Sequence, residues 1–175
     1  MKKWLAFILA VVIFFTVHEG AHALIATIYS EYAAFHIGPI GLEVVFRTPV
    51  GERIGAKWAI ISGISNLATI TMGYLLLLFG QRFAHARSMF AKAGIYYWTI
   101  LSLLLDPLNL SIGPFIYGGD ANGIAAGLSI NRYVIQAVFL GVFLMNRELV
   151  AQKLLPLFGV KTDYPLLRPC IRLKR

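Results

Sequence analysis

Charge is what this sequence is short of. Only 14% of its 175 residues are charged, against about a quarter in an ordinary soluble domain, and acids are scarcer than bases, eight to sixteen. Cysteine is scarcer still. Cys170 stands alone, so no intramolecular disulfide and no thiolate metal cluster can form. Nor is there an interleaved basic and aromatic motif of the kind that grips nucleic acid, which removes nucleic acid from the expected partners. What fills the chain instead is apolar: 58% of residues are hydrophobic and the mean hydropathy is +0.72, the composition of an integral membrane protein. A chain of this length suits one domain of a few spans and leaves no room for a separate soluble domain.

Four apolar runs, at 4–28, 57–79, 88–105 and 123–145, each approach the ~20 residues that cross a bilayer. Proline closes the third run at Asp106-Pro107. The connections alternate in charge. Lys2 and Lys3 precede the first run, and three bases cancel three acids before the second. Arg82 and Arg87 precede the third, Lys92 lies near its start, and only Asp106 and Asp120 occur between Leu105 and Asn131. The last thirty residues carry seven bases against two acids. That is the positive-inside pattern of a multi-pass protein with both termini cytoplasmic, as in the plasma or inner membrane of a prokaryote. Residues 1–146 are then the transmembrane domain, and 147–175 a basic interfacial tail that meets anionic lipid. The first run also has the outline of a signal peptide, with Ala21-His22-Ala23 as a cleavage site. It continues apolar to Tyr29, however, long enough to span, and is read as retained. Between the first two runs, turn residues at Gly38-Pro39-Ile40-Gly41 lead into the β-rich Leu42–Phe46, which predicts a short hairpin at the membrane edge. The expected fold class is therefore an all-α integral membrane protein of about four transmembrane helices, with this hairpin-like segment inserted.

His18-Glu19-Gly20-Ala21-His22 lies inside the first run, where no other charged side chain occurs from Trp4 to Ile28. Histidines at i and i+4 stand one turn apart on the same helix face, close enough to share a metal ion. Glu19 is then placed to take a proton from water activated at that ion, the H-E-x-x-H arrangement of zinc hydrolases. Two imidazoles and one carboxylate would leave a zinc ion an open fourth position, as in catalytic sites. Because charge at mid-membrane is costly, the motif points to function more than to packing.

The carboxylate must come from elsewhere in the chain. Asp120 sits in the Gly- and Pro-punctuated stretch 109–122, where Gly119, Gly123 and Gly127 recur every four residues and would let two backbones approach closely, bringing Asp120 against the first helix. Asp106, beside Pro107, and Glu43, in the hairpin, are the alternatives. No third histidine follows His22 at the metzincin spacing. In the second run Ser62 and Asn66 share a face, read either as interhelical hydrogen bonding or as a hold on a substrate carbonyl or oxyanion. Asn66 is accordingly the candidate substrate-binding residue. His36 and His85 read as loop and surface residues.

With these motifs the chain resembles the site-2 protease family of intramembrane zinc metalloproteases. The resemblance rests on His18-Glu19-Gly20-Ala21-His22, on the hairpin-like segment after it, on Ser62-Gly63-Ile64-Ser65-Asn66, and on Asn109…Pro114…Gly119-Asp120. The chain has Ile64 and Leu110 where the family's second and third motifs carry proline, and no PDZ domain. The resemblance implies Zn2+ held by His18, His22 and Asp120, Glu19 as catalytic acid and base, and a membrane-spanning protein or peptide as substrate. A catalytically inactive scaffold of the same fold and a proton or metal-ion transporter are the alternatives the residues leave open.

Overall fold

The computed structural model describes residues 2–38, 41–116 and 119–170, with Lys2 described by its backbone. The turn expected at Pro39-Ile40, part of the 109–122 stretch and the basic end beyond Cys170 lie outside the described residues.

The first apolar run folds as one helix, α1 (Lys2–Ile28), about 40 Å long at 1.5 Å per residue. Its buried positions are Ala6, Ala10, Phe14, His18, His22 and Ala26, every fourth residue, whereas Leu5, Ile8, Val12 and Leu24 face outward. One stripe thus carries both small residues that admit neighbouring helices and the two histidines.

Ser30, with φ of 58°, ends the helix and turns the chain into an antiparallel hairpin of β1 (Tyr32–Gly38) and β2 (Gly41–Phe46). Phe35 pairs with Val44 and Ile37 with Leu42. The base of the hairpin is pinned by Glu31, whose carboxylate accepts hydrogen bonds from Lys57 Nζ at 2.6 Å and Thr48 Oγ1 at 2.7 Å. The Lys57 ammonium and the Thr48 donors hold the Glu31 carboxyl below the usual glutamate range. Beside it the Arg53 guanidinium sits over the Phe46 and Trp58 rings, 4.8 and 4.9 Å from their centroids.

The second run folds as α2 (Ala56–Leu78), within a residue of expectation. Its buried side includes Ser62, Ser65, Asn66 and Thr69 at helical spacing, a polar stripe facing the interior. After the short α3 (Gly80–Ala84), the next helix, α4 (Met89–Ser111), does not stop at residue 105 as expected. It runs through Pro107. A proline there lacks the N–H that would bond the Leu103 carbonyl. Asn146 supplies a donor instead, its Nδ2 bonding Leu103 O at 2.7 Å.

The fourth predicted span, 123–145, is corrected into two helices. Ser129, at φ 55°, ends α5 (Gly119–Leu128), and the Asn131 side chain caps α6 (Arg132–Leu149) by accepting from Tyr133 N at 3.0 Å. A ten-residue helix covers only about 15 Å and cannot cross a bilayer. α6, in contrast, continues through a π-helical turn at Val150–Leu154 to Leu157. The expected boundary between domain and tail at 146 therefore falls inside a helix, and Val150, Leu154 and Leu155 pack in one core cluster with Leu103.

The protein is mostly helical with one two-stranded antiparallel hairpin, and three helices are long and apolar enough to cross a membrane: α1, α2 and the stretch Arg132–Leu157. α4 matches them in length, is less apolar, and packs on α1, α2 and α6. The glycine face of α5 does admit another backbone, but that of α2. A Cβ on Gly123 would collide with Ser62, and one on Gly127 with the Ala59 backbone. This close approach lodges the start of α5, and Asp120 with it, against the histidines of α1.

Candidate metal centre

His18 and His22 project from one stripe of α1, and Asp120 reaches them from the first turn of α5. Asp120 Oδ2 lies 3.4 Å from His18 Nε2, and its Oδ1 lies 3.3 Å from His22 Nε2. One ligand atom from each of the three residues falls within 4.8 Å of the others. Ligands at the zinc distances of about 2.0–2.1 Å, arranged tetrahedrally, stand about 3.3–3.4 Å apart. Each ring nitrogen meets one oxygen of the Asp120 carboxylate at that spacing, His18 Nε2 meeting Oδ2 and His22 Nε2 meeting Oδ1. Neither Asp106 nor Glu43, the other candidate acids, belongs to the group: Glu43 is exposed on the hairpin, 3.8 Å from His36 Nε2.

An oxygen also stands close to the far nitrogen of each ring. His22 Nδ1 is 2.7 Å from the carbonyl of Ile61, which can only accept, so the neutral ring carries its proton there and turns the Nε2 lone pair toward Asp120. Ser65 Oγ lies 2.9 Å from that same Nε2. His18 Nδ1 stands 3.1 Å from Asp106 Oδ1, and Asp106 Oδ2 accepts from Thr69 Oγ1. A carboxylate or a carbonyl behind each imidazole is the arrangement that orients metal-ligating histidines.

Of the two readings of Asn66, the interhelical hydrogen bond is the one seen. The residue is 1% exposed and absent from the cavity wall. Its Nδ2 donates to Asp120 Oδ2 at 2.8 Å and to Ser62 O at 3.1 Å, so it positions the carboxylate by an interhelical hydrogen bond. Ser65 and Thr69, two further polar residues of the second run to which the sequence alone assigns no role, join Ser62 and Asn66 on this face. The full stripe, at i, i+3, i+4 and i+7 from residue 62, is the signal that would have included them.

Glu19 lies beside the cluster, on the wall of a half-open cavity of about 470 Å³ lined by α1, the hairpin, the end of α4 and the start of α5. Its Oε2 accepts from the backbone N–H of Val44 at 3.0 Å. Phe14, Phe15, Leu42 and Leu105 make the rest of that wall largely apolar.

The charge balance of this site is one-sided. Glu19, Asp106 and Asp120 converge on two imidazoles, and among the described residues no lysine or arginine pairs with any of the three acids. Buried carboxylates need compensation, which here comes from protons on the rings or from a cation held between them. The donor set, two nitrogens and a carboxylate oxygen, is one that zinc accepts. Comparison of the chain with models of known families, with curated proteins and with solved structures finds no match.

Proposed function

We propose that the chain is an intramembrane zinc metalloprotease of the site-2 protease kind, hydrolysing peptide bonds of membrane-spanning substrates. The observation that carries this reading is the placement of one carboxylate, Asp120, with one oxygen 3.4 Å from His18 Nε2 and the other 3.3 Å from His22 Nε2, and with Glu19 adjoining on a half-open cavity. His18, His22 and Asp120 would hold the ion, Asn66 and Asp106 would keep the carboxylate and the His18 ring in position, and Glu19 would take a proton from water and return it to the departing amine. Zinc bound there supplies a positive charge that acidifies water and polarises a carbonyl.

The hairpin offers a way to hold the substrate extended. Val44 N–H points at Glu19, so it lies outside the ladder with β1, and the same edge of β2 presents the groups of Leu42 and Phe46. A locally unwound substrate segment added along this edge would lie beside Glu19. In this reading α4 is a fourth membrane-crossing helix, α5 is enclosed by the bundle, and both termini are cytoplasmic in the plasma or inner membrane of a prokaryote, by the positive-inside distribution.

The test is metal content together with turnover. Purified protein is expected to retain about one zinc ion per chain, lost in His18→Ala and Asp120→Asn. Cleavage of unfolded casein in detergent is expected in wild type and absent in Glu19→Gln with metal still bound. Metal-dependent ion flux in proteoliposomes without peptidase activity would support a transporter instead. Metal binding with neither activity would support an inactive scaffold.

A further inference from the structure

A second cavity, of about 270 Å³, opens at the other end of α1, lined by Lys3, Lys92, Tyr96, Tyr97, Met89 and Phe158 among others. Lys3 precedes His18 by about 22 Å along the helix, so the two cavities are separate. Three segments build this one: the first turn of α1, the first turns of α4, and the residues following Leu157.

Its walls divide by chemistry. Among the described residues neither the Lys3 nor the Lys92 ammonium has a carboxylate partner, and neither the Tyr96 nor the Tyr97 hydroxyl has a hydrogen-bond acceptor. Two ammonium and two hydroxyl groups thus belong to residues lining one space, with no acceptor for them among the described residues. The remaining lining, Met89, Ala93, Phe158 and Val160, is apolar. A chain of ring contacts runs from Phe158 through Tyr96, Tyr97 and Phe7 to Trp4, which is 72% exposed at the start of the apolar helix. Aromatic residues so placed mark the level where a helix leaves the hydrocarbon for the headgroups.

We infer that this cavity binds an anionic phospholipid, with its phosphate between Lys3 and Lys92, the tyrosine hydroxyls donating to its oxygens, and its hydrocarbon against Phe158 and Val160. A free phosphate ion would share the lysines but has no use for the apolar wall, so the lipid is the better match. The inference does not depend on the metal site or on the protease reading.

The test follows thermal unfolding of the full chain in uncharged detergent while short-chain phosphatidylglycerol, short-chain phosphatidylcholine or inorganic phosphate is added. Phosphatidylglycerol alone is expected to raise the Tm saturably. Lys3→Gln/Lys92→Gln is expected to weaken its apparent affinity on the order of 30-fold, from about 1 kcal/mol per lysine. The pair Arg82→Gln/Arg87→Gln, outside the cavity, should leave it within about twofold. Should the double lysine variant not fold, Lys92→Gln alone should weaken binding by about fivefold, with Lys92→Arg restoring it. The inference is overturned if phosphatidylcholine gives the same rise, if inorganic phosphate alone reproduces it, or if the lysine and arginine variants respond alike.

Discussion

Asn146 on α6 donates its side-chain amide to the carbonyl of Leu103 on α4, the group that Pro107 leaves without its helical donor. The Asn146 oxygen in turn accepts from Tyr74 on α2 at 2.5 Å, so one fully buried amide ties three helices together. Asn146→Leu should therefore destabilise the protein by about 1–3 kcal/mol, the cost of leaving buried polar groups unpaired. In a Pro107→Ala background the new N–H can serve the Leu103 carbonyl, and the same substitution should cost less. A double-mutant cycle by denaturant unfolding in detergent checks this. Equal costs in both backgrounds would show that the hydrogen bond is not answering the proline.

Asp106 makes a distinct prediction from Asp120. It faces the inner nitrogen of His18 and is held by Thr69, so its carboxylate orients the ring without touching the space between the outer nitrogens. Under the proposed function, Asp106→Asn should weaken zinc affinity by about 10–100-fold while leaving the full stoichiometry at saturating metal. Asp120→Asn should lose stoichiometry as well. Competition against a chelating dye measures both. If Asp106→Asn abolishes binding outright, Asp106 is a ligand and the assignment is reversed.

What the sequence made legible were the features written locally. The i, i+4 histidines, the apolar lengths of α1 and α2, and the hairpin followed from spacing and residue type alone. The glycine period at 119, 123 and 127 correctly announced a close helix contact near Asp120, although the partner is α2. What sequence could not show were compensations supplied from a distance. Pro107 reads as a helix stop because the donor that rescues it stands 39 residues later. The break at 129–131 is short, and the apolar residues on either side of it hid it within one continuous run. Asn66 could be assigned to a face but not to a partner, since its position relative to Asp120 is set by packing of α5 on α2.

That packing has its own prediction. The Cβ of Gly127→Ala would overlap the Ala59 backbone, and backbone cannot rotate away as a side chain can. The substitution should cost about 1–3 kcal/mol and, by lifting α5 from α2, move Asp120 off the histidines, which under the proposed function weakens metal binding. Gly141→Ala, on α6 where a Cβ meets nothing within 4 Å, is the control. It should leave metal binding unchanged and raise helix stability by up to about 1 kcal/mol. Thermal unfolding and metal titration of the two variants separate a packing effect from a general intolerance of glycine replacement.

The Glu31 latch predicts how the hairpin responds to acid. Its carboxyl is held below the ordinary glutamate value of 4.5, chiefly by Lys57 and then by Thr48, so the folded state binds its proton less readily than the unfolded chain does. The stabilisation it provides is then fully present above pH 4.5 and is lost as the pH falls through the lower folded-state value. The difference in Tm between wild type and Glu31→Gln should accordingly be constant from neutral pH down to about 5 and shrink below 4.5. Hydrogen exchange at Val44–Thr48 should show the same window, because Glu31 reaches the chain there through the N–H of Thr48. A Tm difference that grows as the pH drops would mean that the carboxyl is favoured in its protonated form in the fold, and that Lys57 is not its working partner.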